Sequence, residues 1–310
     1  MTTTLLDMIN EVSMNLSGYT LTQDRSTYLR TAVTGTTSSS ASPTVLSLGS
    51  TENVGKGIVE IDEELFWIDT YDRIGNTATV APYGRGYLGT TAATHTLDTK
   101  VTISPTFPKF SIKRAINDTI KGLSGILFAA DTTTITYSSA VSTYRLPATG
   151  TITGGIRNIL SVAYESIGPS KEWIPIRSWR FDANANATSF TSEQTISIYD
   201  MITSGRTIQI VYSKDPTAFT ANSEVFTTQT GLPESCRDLV VTGSIYRLLA
   251  NLDPARAAMV SAQADETDSK RPYGSSQSLT RQIYALYTQR LAEEVKSQQN
   301  KYPIRVHYSL

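Results

Sequence analysis

Two incompatible periodicities alternate along this chain, and that alternation restricts its fold more than any other feature. Apolar residues recur at helical spacing in residues 4–17, 110–128, 234–252 and 278–300, while the stretches between the first three segments break into short β-runs punctuated by Gly, Pro and Asn. This order predicts an α+β protein in which about four helices form one bundle and two β-rich modules are inserted into its loops. The boundaries that follow are an N-terminal helix and lead-in over 1–34, a small β-barrel-like module over 35–108, and a bundle helix over 109–130. A sandwich-like region over 131–232, C-terminal helices over 233–301 and an extended tail over 302–310 complete the chain.

The local signals support each segment. Thr4 reads as an N-cap with Asp7 three residues on, followed by Leu5, Ile9, Val12 and Leu16 on one face, and Ser17-Gly18 stops the helix. After the turn-rich Gly35–Pro43, runs at Thr44–Leu48, Gly57–Ile61, Leu65–Tyr71, Thr77–Ala81 and Lys100–Ser104 read as strands. Asp62-Glu63-Glu64 is the expected turn of a hairpin from Ile58 to Tyr71, and Gly75-Asn76 the next turn. Pro105 and Pro108 end the module. A helix then carries Ile112, Ile116, Ile120, Leu123 and Leu127 on one face. The second β-region is expected at Ile135–Tyr137, Ser142–Leu146, Ile156–Glu165, Glu172–Arg177, Gln194–Tyr199 and Thr207–Tyr212, with Asp182–Ser192 as a loop. Pro233-Glu234 opens a further helix. Asp253-Pro254 starts a short Ala-rich one, Ser269–Ser276 is a loop, and Arg290/Glu294 form an i,i+4 pair on the last helix.

Composition narrows the function. Twenty-seven basic and 28 acidic residues leave a formal charge of −1, which argues against a strongly basic nucleic-acid binder. One residue in four is Ser or Thr and only 18% are charged, a surface suited to strands and extensive packing. A single cysteine, Cys236, permits no internal disulfide framework or cysteine cluster, and its apolar-flanked position marks it as a buried small side chain. No positive leader opens the chain, and no apolar run approaches the ~18 residues of a membrane span, so no membrane partner is expected.

Chemistry finds little support. His95, in a Thr/Ala turn, and His307, near the end, are the only histidines, and neither lies beside a nucleophile motif or Cys236. The acidic run Glu60, Asp62, Glu63, Glu64, Asp69 and Asp72 reads as a solvated hairpin tip or an inter-subunit salt-bridge surface rather than a metal or glycosidase cluster. Gly84-Arg85-Gly86 and Gly154-Gly155 lack the residues of phosphate loops. No catalytic residue, metal ligand or cofactor site is therefore expected.

The end of the chain alternates strictly. Tyr302, Ile304, Val306, Tyr308 and Leu310 fall on one face, and Pro303, Arg305, His307 and Ser309 on the other. A lone strand leaves its backbone groups unsatisfied and must add to a sheet edge. Two seats are open: this chain's own β-region, or another subunit or protein. Tyr302, Ile304, Arg305, Val306, His307, Tyr308 and Leu310 are accordingly the candidate partner or oligomer interface.

The stretch from Gly57 to Thr102 resembles a small β-module of neck and connector proteins of tailed bacteriophages. It runs GIVEIDEELFWIDTYDR, a Gly-Asn turn, then TATVAPYGRGYLGTTAATHTLDTKVT. Arg85, Gly86, Tyr87, Gly89, Thr90, Ala92 and His95 occupy an R-G-aromatic-x-G-T-x-A-x-x-H turn behind an acidic hairpin. The ending RQIYALYTQRLAEEVKSQQNKYPIRVHYSL is similar to that of head-to-tail adaptors. The resemblance implies a structural virion protein of the neck, between capsid and tail, made in the host cytoplasm. It would form a ring of about twelve copies under the portal protein, dock its C-terminus there, meet a downstream neck or tail protein, and pass DNA non-specifically through its lumen. A neighbouring stopper or tail-completion protein, a glycan- or receptor-binding tail-fibre protein, and a cell-wall polysaccharide hydrolase are the rival readings. Physically, Gly84, Gly86 and Gly89 permit a tight turn, and Arg85 offers a fork to a carboxylate such as Asp62 or Glu64, within the chain or on a neighbour. Tyr87 is an amphipathic anchor and His95 can bond a turn carbonyl. Asp62, Glu64, Arg85, Tyr87 and His95 are thus the candidate turn and inter-subunit residues.

Overall fold

The structure, a computed structural model, describes residues 2–18, 24–147, 155–168, 171–186, 188–190, 193–250 and 275–303. It is mixed α+β and divides into two compact units, one of Leu6–Ile116 with residues 244–280, the other of residues 1–5, Asn117–Gly243 and residues 281–310.

The first unit holds the expected β-module. Strands β1 (Arg25–Tyr28), β2 (Val45–Ser47), β3 (Gly57–Ile61), β4 (Glu64–Asp72), β5 (Thr77–Val80) and β6 (Lys100–Ile103) form an antiparallel sheet in the order β1-β6-β3-β4-β5-β2. The two edge strands meet: Leu29 bridges Leu48, and Arg30 N–H reaches the Ser47 carbonyl at 2.8 Å. The sheet therefore curls around one core, with Leu29, Leu46, Val59, Ile61, Phe66, Ile68, Ala78, Val80 and Val101 inside. Period-two alternation explains the set, because each strand sends every second side chain inward. β1 lies in the stretch expected to be lead-in, so the module begins before residue 35.

The β3–β4 hairpin departs from expectation in one consequential way. Its turn is Asp62-Glu63 alone, with Asp62 at φ 54°, and Glu64 is already a strand residue paired with Ile61. A two-residue turn keeps the right-handed strand twist. It also places Glu64 on the same face as Phe66 and Ile68, pointing into the barrel rather than at its tip.

The second unit holds the sandwich. Strands β7 (Ala129–Thr136), β9 (Asn158–Glu165), β10 (Trp173–Pro175) and β13 (Thr207–Lys214) form a sheet ordered β10-β9-β13-β7; β8 (Thr143–Arg145), β11 (Trp179–Asp182) and β12 (Thr195–Ile198) form another, ordered β11-β12-β8. Ile135, Val162, Ile208 and Ile210 from one sheet and Ile196 and Ile198 from the other share a core with Leu146.

Five helices are described: α1 (Leu5–Ser17), α2 (Lys109–Gly122), α3 (Phe226–Thr230), α4 (Arg237–Ala250) and α5 (Ser275–Lys301). α2 stops at Gly122 rather than near 128, yet Leu123 and Leu127 stay buried in the turns beyond it. α3 falls where β-texture was expected, and α5 starts inside the expected 269–276 loop. The helix expected from Asp253 lies outside the described residues. α2, α4 and α5 meet at Gly243: a Cβ there would stand 2.5 Å from Thr119 Cγ2 and 2.9 Å from the Tyr287 ring. Ala favours helix by about 1 kcal/mol over Gly. Gly243→Ala should nonetheless lower stability by about 1–3 kcal/mol, because the fully buried Thr119 has no room to retreat. Denaturant unfolding checks this, and a more stable variant would refute the close approach.

Candidate functional site

The five turn residues named from sequence converge at one end of the barrel. Glu64, on the inward face of β4, takes a bidentate fork from Arg85, Nε to Oε1 at 2.6 Å and Nη2 to Oε2 at 2.8 Å. Gly86 N–H donates to Oε1 at 3.0 Å and Ala93 N–H to Oε2 at 2.9 Å. His95 completes the shell, with Nε2 2.9 Å from Glu64 Oε2 and Nδ1 2.7 Å from Asp62 Oδ2. Arg85 spends its remaining donors on the carbonyls of Gly35 (2.7 Å) and Ala93, and its guanidinium lies over the Phe66 ring at 4.8 Å. The Arg85, Glu64 and His95 side chains are at most 2% exposed.

Five donors on one carboxylate explain how a charge survives inside a barrel. Burial opposes ionisation of Glu64, but the Arg85 and His95 contacts and the two backbone N–H groups hold its pKa down at about 2. His95 faces a carboxylate at each ring nitrogen, an arrangement that favours the imidazolium, in which both nitrogens donate. Burial alone would lower its pKa, but the bonds to Glu64 and Asp62 raise it. Two cations and two anions cancel within the latch.

The local chain is shaped to deliver these groups. His95 exchanges backbone hydrogen bonds with Val33, N–H to O at 3.0 Å and 2.8 Å, which fixes its strand-like segment against the barrel mouth. Gly86 has φ 60°, and a Cβ on it would stand 2.7 Å from the Thr90 carbonyl, so only glycine fits there. Tyr87 is half-buried with its ring 5.2 Å from that of Trp67. Leu88 and Tyr83, at φ 56° and 58°, are large exposed side chains in left-handed backbone, held there by the pinned loop.

The acidic run is only in part the solvated tip expected from sequence: Asp62, Asp69 and Asp72 are exposed, whereas Glu60 and Glu64 are buried. Glu64 pairs with Arg85, Asp62 with His95, Glu63 with Lys113 (3.1 Å) and Asp69 with Lys56 (2.6 Å), all within the chain. α2 supplies two further contacts to the hairpin: Lys113 meets Glu63, and Lys109 N–H donates to Glu60 Oε1 at 2.6 Å. Glu60 is 4% exposed, and burial pushes its carboxyl up to about 7 in spite of the Lys109 contacts. It lines a recess with Asp24, Lys100, Thr102 and Phe107. His95, expected on a turn carbonyl, binds carboxylates instead. Sequence reasoning missed Phe66, though its place two residues after Glu64 signals a shared face.

A second polar cluster ties α4 to α5. Arg290 reaches Asp238 at 2.8 Å and Glu294 at 3.1 Å, and Glu294 accepts from Ser235 at 3.0 Å. Cys236 is buried as expected, in the 3₁₀ turn Glu234–Cys236 before α4; burial and the Glu294 charge push its thiol up to about 12. Of the tail, Tyr302 is described, with its ring 5.7 Å from that of Phe128. Ile304, Arg305, Val306, His307, Tyr308 and Leu310 lie outside the described residues.

Each charged group of the barrel latch is spent on holding a loop in place, which defines a structural module presenting a fixed surface. Residues 88–306 match the family model described as SU10 adaptor protein, more than two thirds of the chain. The chain belongs to the SU10 adaptor protein family and is a phage structural adaptor protein. The match takes in His95, the sandwich, α2 to α5 and the start of the tail, and leaves out Asp62, Glu64, Arg85 and Tyr87. No curated protein matches the chain. Among the described residues no helix is long and apolar enough to cross a membrane.

Proposed function

We propose that this protein is a ring-forming, non-enzymatic head-to-tail adaptor of the phage neck, seated between the portal protein and a downstream neck or tail protein, with DNA passing through the lumen of the ring. The family match across residues 88–306 carries this reading. Two physical features support it. A formal charge of −1 suits a wall that DNA must slide past, since clusters of Lys and Arg would clamp phosphates and release counterions. The internally neutralised latch makes the barrel loop a rigid, pre-organised surface, which lowers the entropy lost when copies or partners dock.

Purified protein mixed with its phage's portal assembly and imaged by electron microscopy tests the proposal. A closed ring of this chain on the portal is the expected result. A chain that stays off the portal and is found at fibre tips in whole particles refutes it.

A further inference from the structure

We infer that the open edge of β7 is the seat of this chain's own C-terminal segment, which adds to it as a parallel strand. β7 lies at the end of its sheet and pairs only with β13 among the described residues. The pairing phase is set by Tyr137, whose N–H donates to the Arg206 carbonyl at 2.8 Å. Counting back by twos, residues 135, 133, 131 and 129 also face β13, so Ala130, Thr132, Thr134 and Thr136 turn their backbone groups away from it. Thr132 N–H is satisfied by Asp131 Oδ1 at 2.8 Å. The other outward groups form a ladder template without a partner among the described residues.

The C-terminal segment is delivered to that template. Gln298, near the end of α5, bonds both backbone groups of Phe128, the residue directly before β7: Phe128 N–H donates to Oε1 at 3.2 Å, and Nε2 donates to the Phe128 carbonyl at 2.7 Å. The Gln298 carbonyl also accepts Tyr302 N–H at 2.9 Å, and the Tyr302 and Phe128 rings are in contact. One glutamine thus holds the start of β7 and the start of the alternating segment side by side. A strand leaving that contact follows β7 only in the parallel sense. Strict alternation from Tyr302 onward is the pattern a sheet edge accepts, and Pro303, with no N–H to donate, ends the helix there. β7 therefore supplies the partner which the segment's backbone requires, without a second molecule.

The inference stands apart from the adaptor reading, because it is measured on the isolated chain. Amide hydrogen exchange of the dilute full-length protein should show Ala130, Thr134 and Thr136 protected. Deleting Ile304–Leu310 should cut that protection at least tenfold and leave Ile208 and Ile210 of β13 unchanged. Replacing Arg305 and Val306 together by Pro, which removes a ladder donor whichever of the two faces β7, should produce the same selective loss. Unprotected outward amides in the full chain, or protection indifferent to both changes, would overturn the inference. So would protection that grows with protein concentration or arises only on adding portal, since the edge would then be filled from outside.

Discussion

Arg85→Ala should destabilise the barrel unit by about 3–5 kcal/mol, the cost of leaving a buried carboxylate without its cation. Glu64 keeps the Gly86 and Ala93 N–H groups and His95, but loses the fork that carries most of its compensation. The Gly35 and Ala93 carbonyls lose their donor, and Phe66 loses the guanidinium above it. Arg85→Lys should recover only part of this, because an ammonium cannot make two parallel bonds to one carboxylate. Denaturant unfolding gives the magnitude, and fluorescence of Trp67, whose ring meets that of Tyr87 in the pinned loop, gives the locality. A cost below about 1 kcal/mol would mean the pair is exposed to water and that the latch does not hold the loop. Removing Glu64 and Arg85 together should cost less than the two single losses added, since neither charge is then stranded.

The latch also sets a pH window. Glu64 has its pKa lowered from 4.5 to about 2, so its stabilisation is present above 4.5 and is lost as pH falls toward 2. His95 has its pKa raised above 6.5, so its contribution is complete below 6.5 and disappears as pH rises through the raised value. The two terms coexist between about 4.5 and 6.5.

Much of this was legible in the sequence where period and turn chemistry agree. β2 to β6 alternate cleanly and fall within two residues of the expected runs, and Asp62, Glu64, Arg85 and His95, named together from the turn pattern, lie in one hydrogen-bonded cluster. β1, Arg-Ser-Thr-Tyr, has no apolar alternation because its side chains are mostly exposed and the sheet accepts it for its backbone. α3, Phe-Thr-Thr-Gln-Thr, reads as strand on its β-branched residues; tertiary contacts around the buried Phe226 and Thr230 override that propensity. The extent of α2 was overestimated because Leu123 and Leu127 keep helical spacing while packing from turns. The most telling miss is one residue in a turn. Counting three turn residues instead of two leaves Glu64 in solvent; counting two sends it into the core, where it needs Arg85 and His95.

The same hairpin carries an acid of opposite character. Glu60, on the outer face of β3, is buried under the first turn of α2 with one backbone N–H and no cation fork, so its carboxyl titrates at about 7 rather than 4.5. A raised carboxyl pKa means that the folded state binds the proton more tightly than the unfolded chain. Stability therefore falls as pH rises from about 4.5 to about 7 and is flat beyond, the reverse of Glu64. Glu60→Gln keeps an oxygen acceptor for Lys109 N–H and removes the charge. At pH 8 it should stabilise the protein by about 2–4 kcal/mol, at the 1.36 kcal/mol per pKa unit that links titration to folding. At pH 5, where the native side chain is already largely protonated, the two proteins should unfold nearly together. Glu60→Ala separates charge from hydrogen bond, because it relieves the buried anion and strands the N–H, so its gain at pH 8 should be smaller than that of Gln. Thermal or denaturant unfolding at the two pH values decides the matter. A Gln variant no more stable than the native chain at pH 8 would mean that Glu60 ionises without penalty, and that water rather than packing fills the recess at the head of α2.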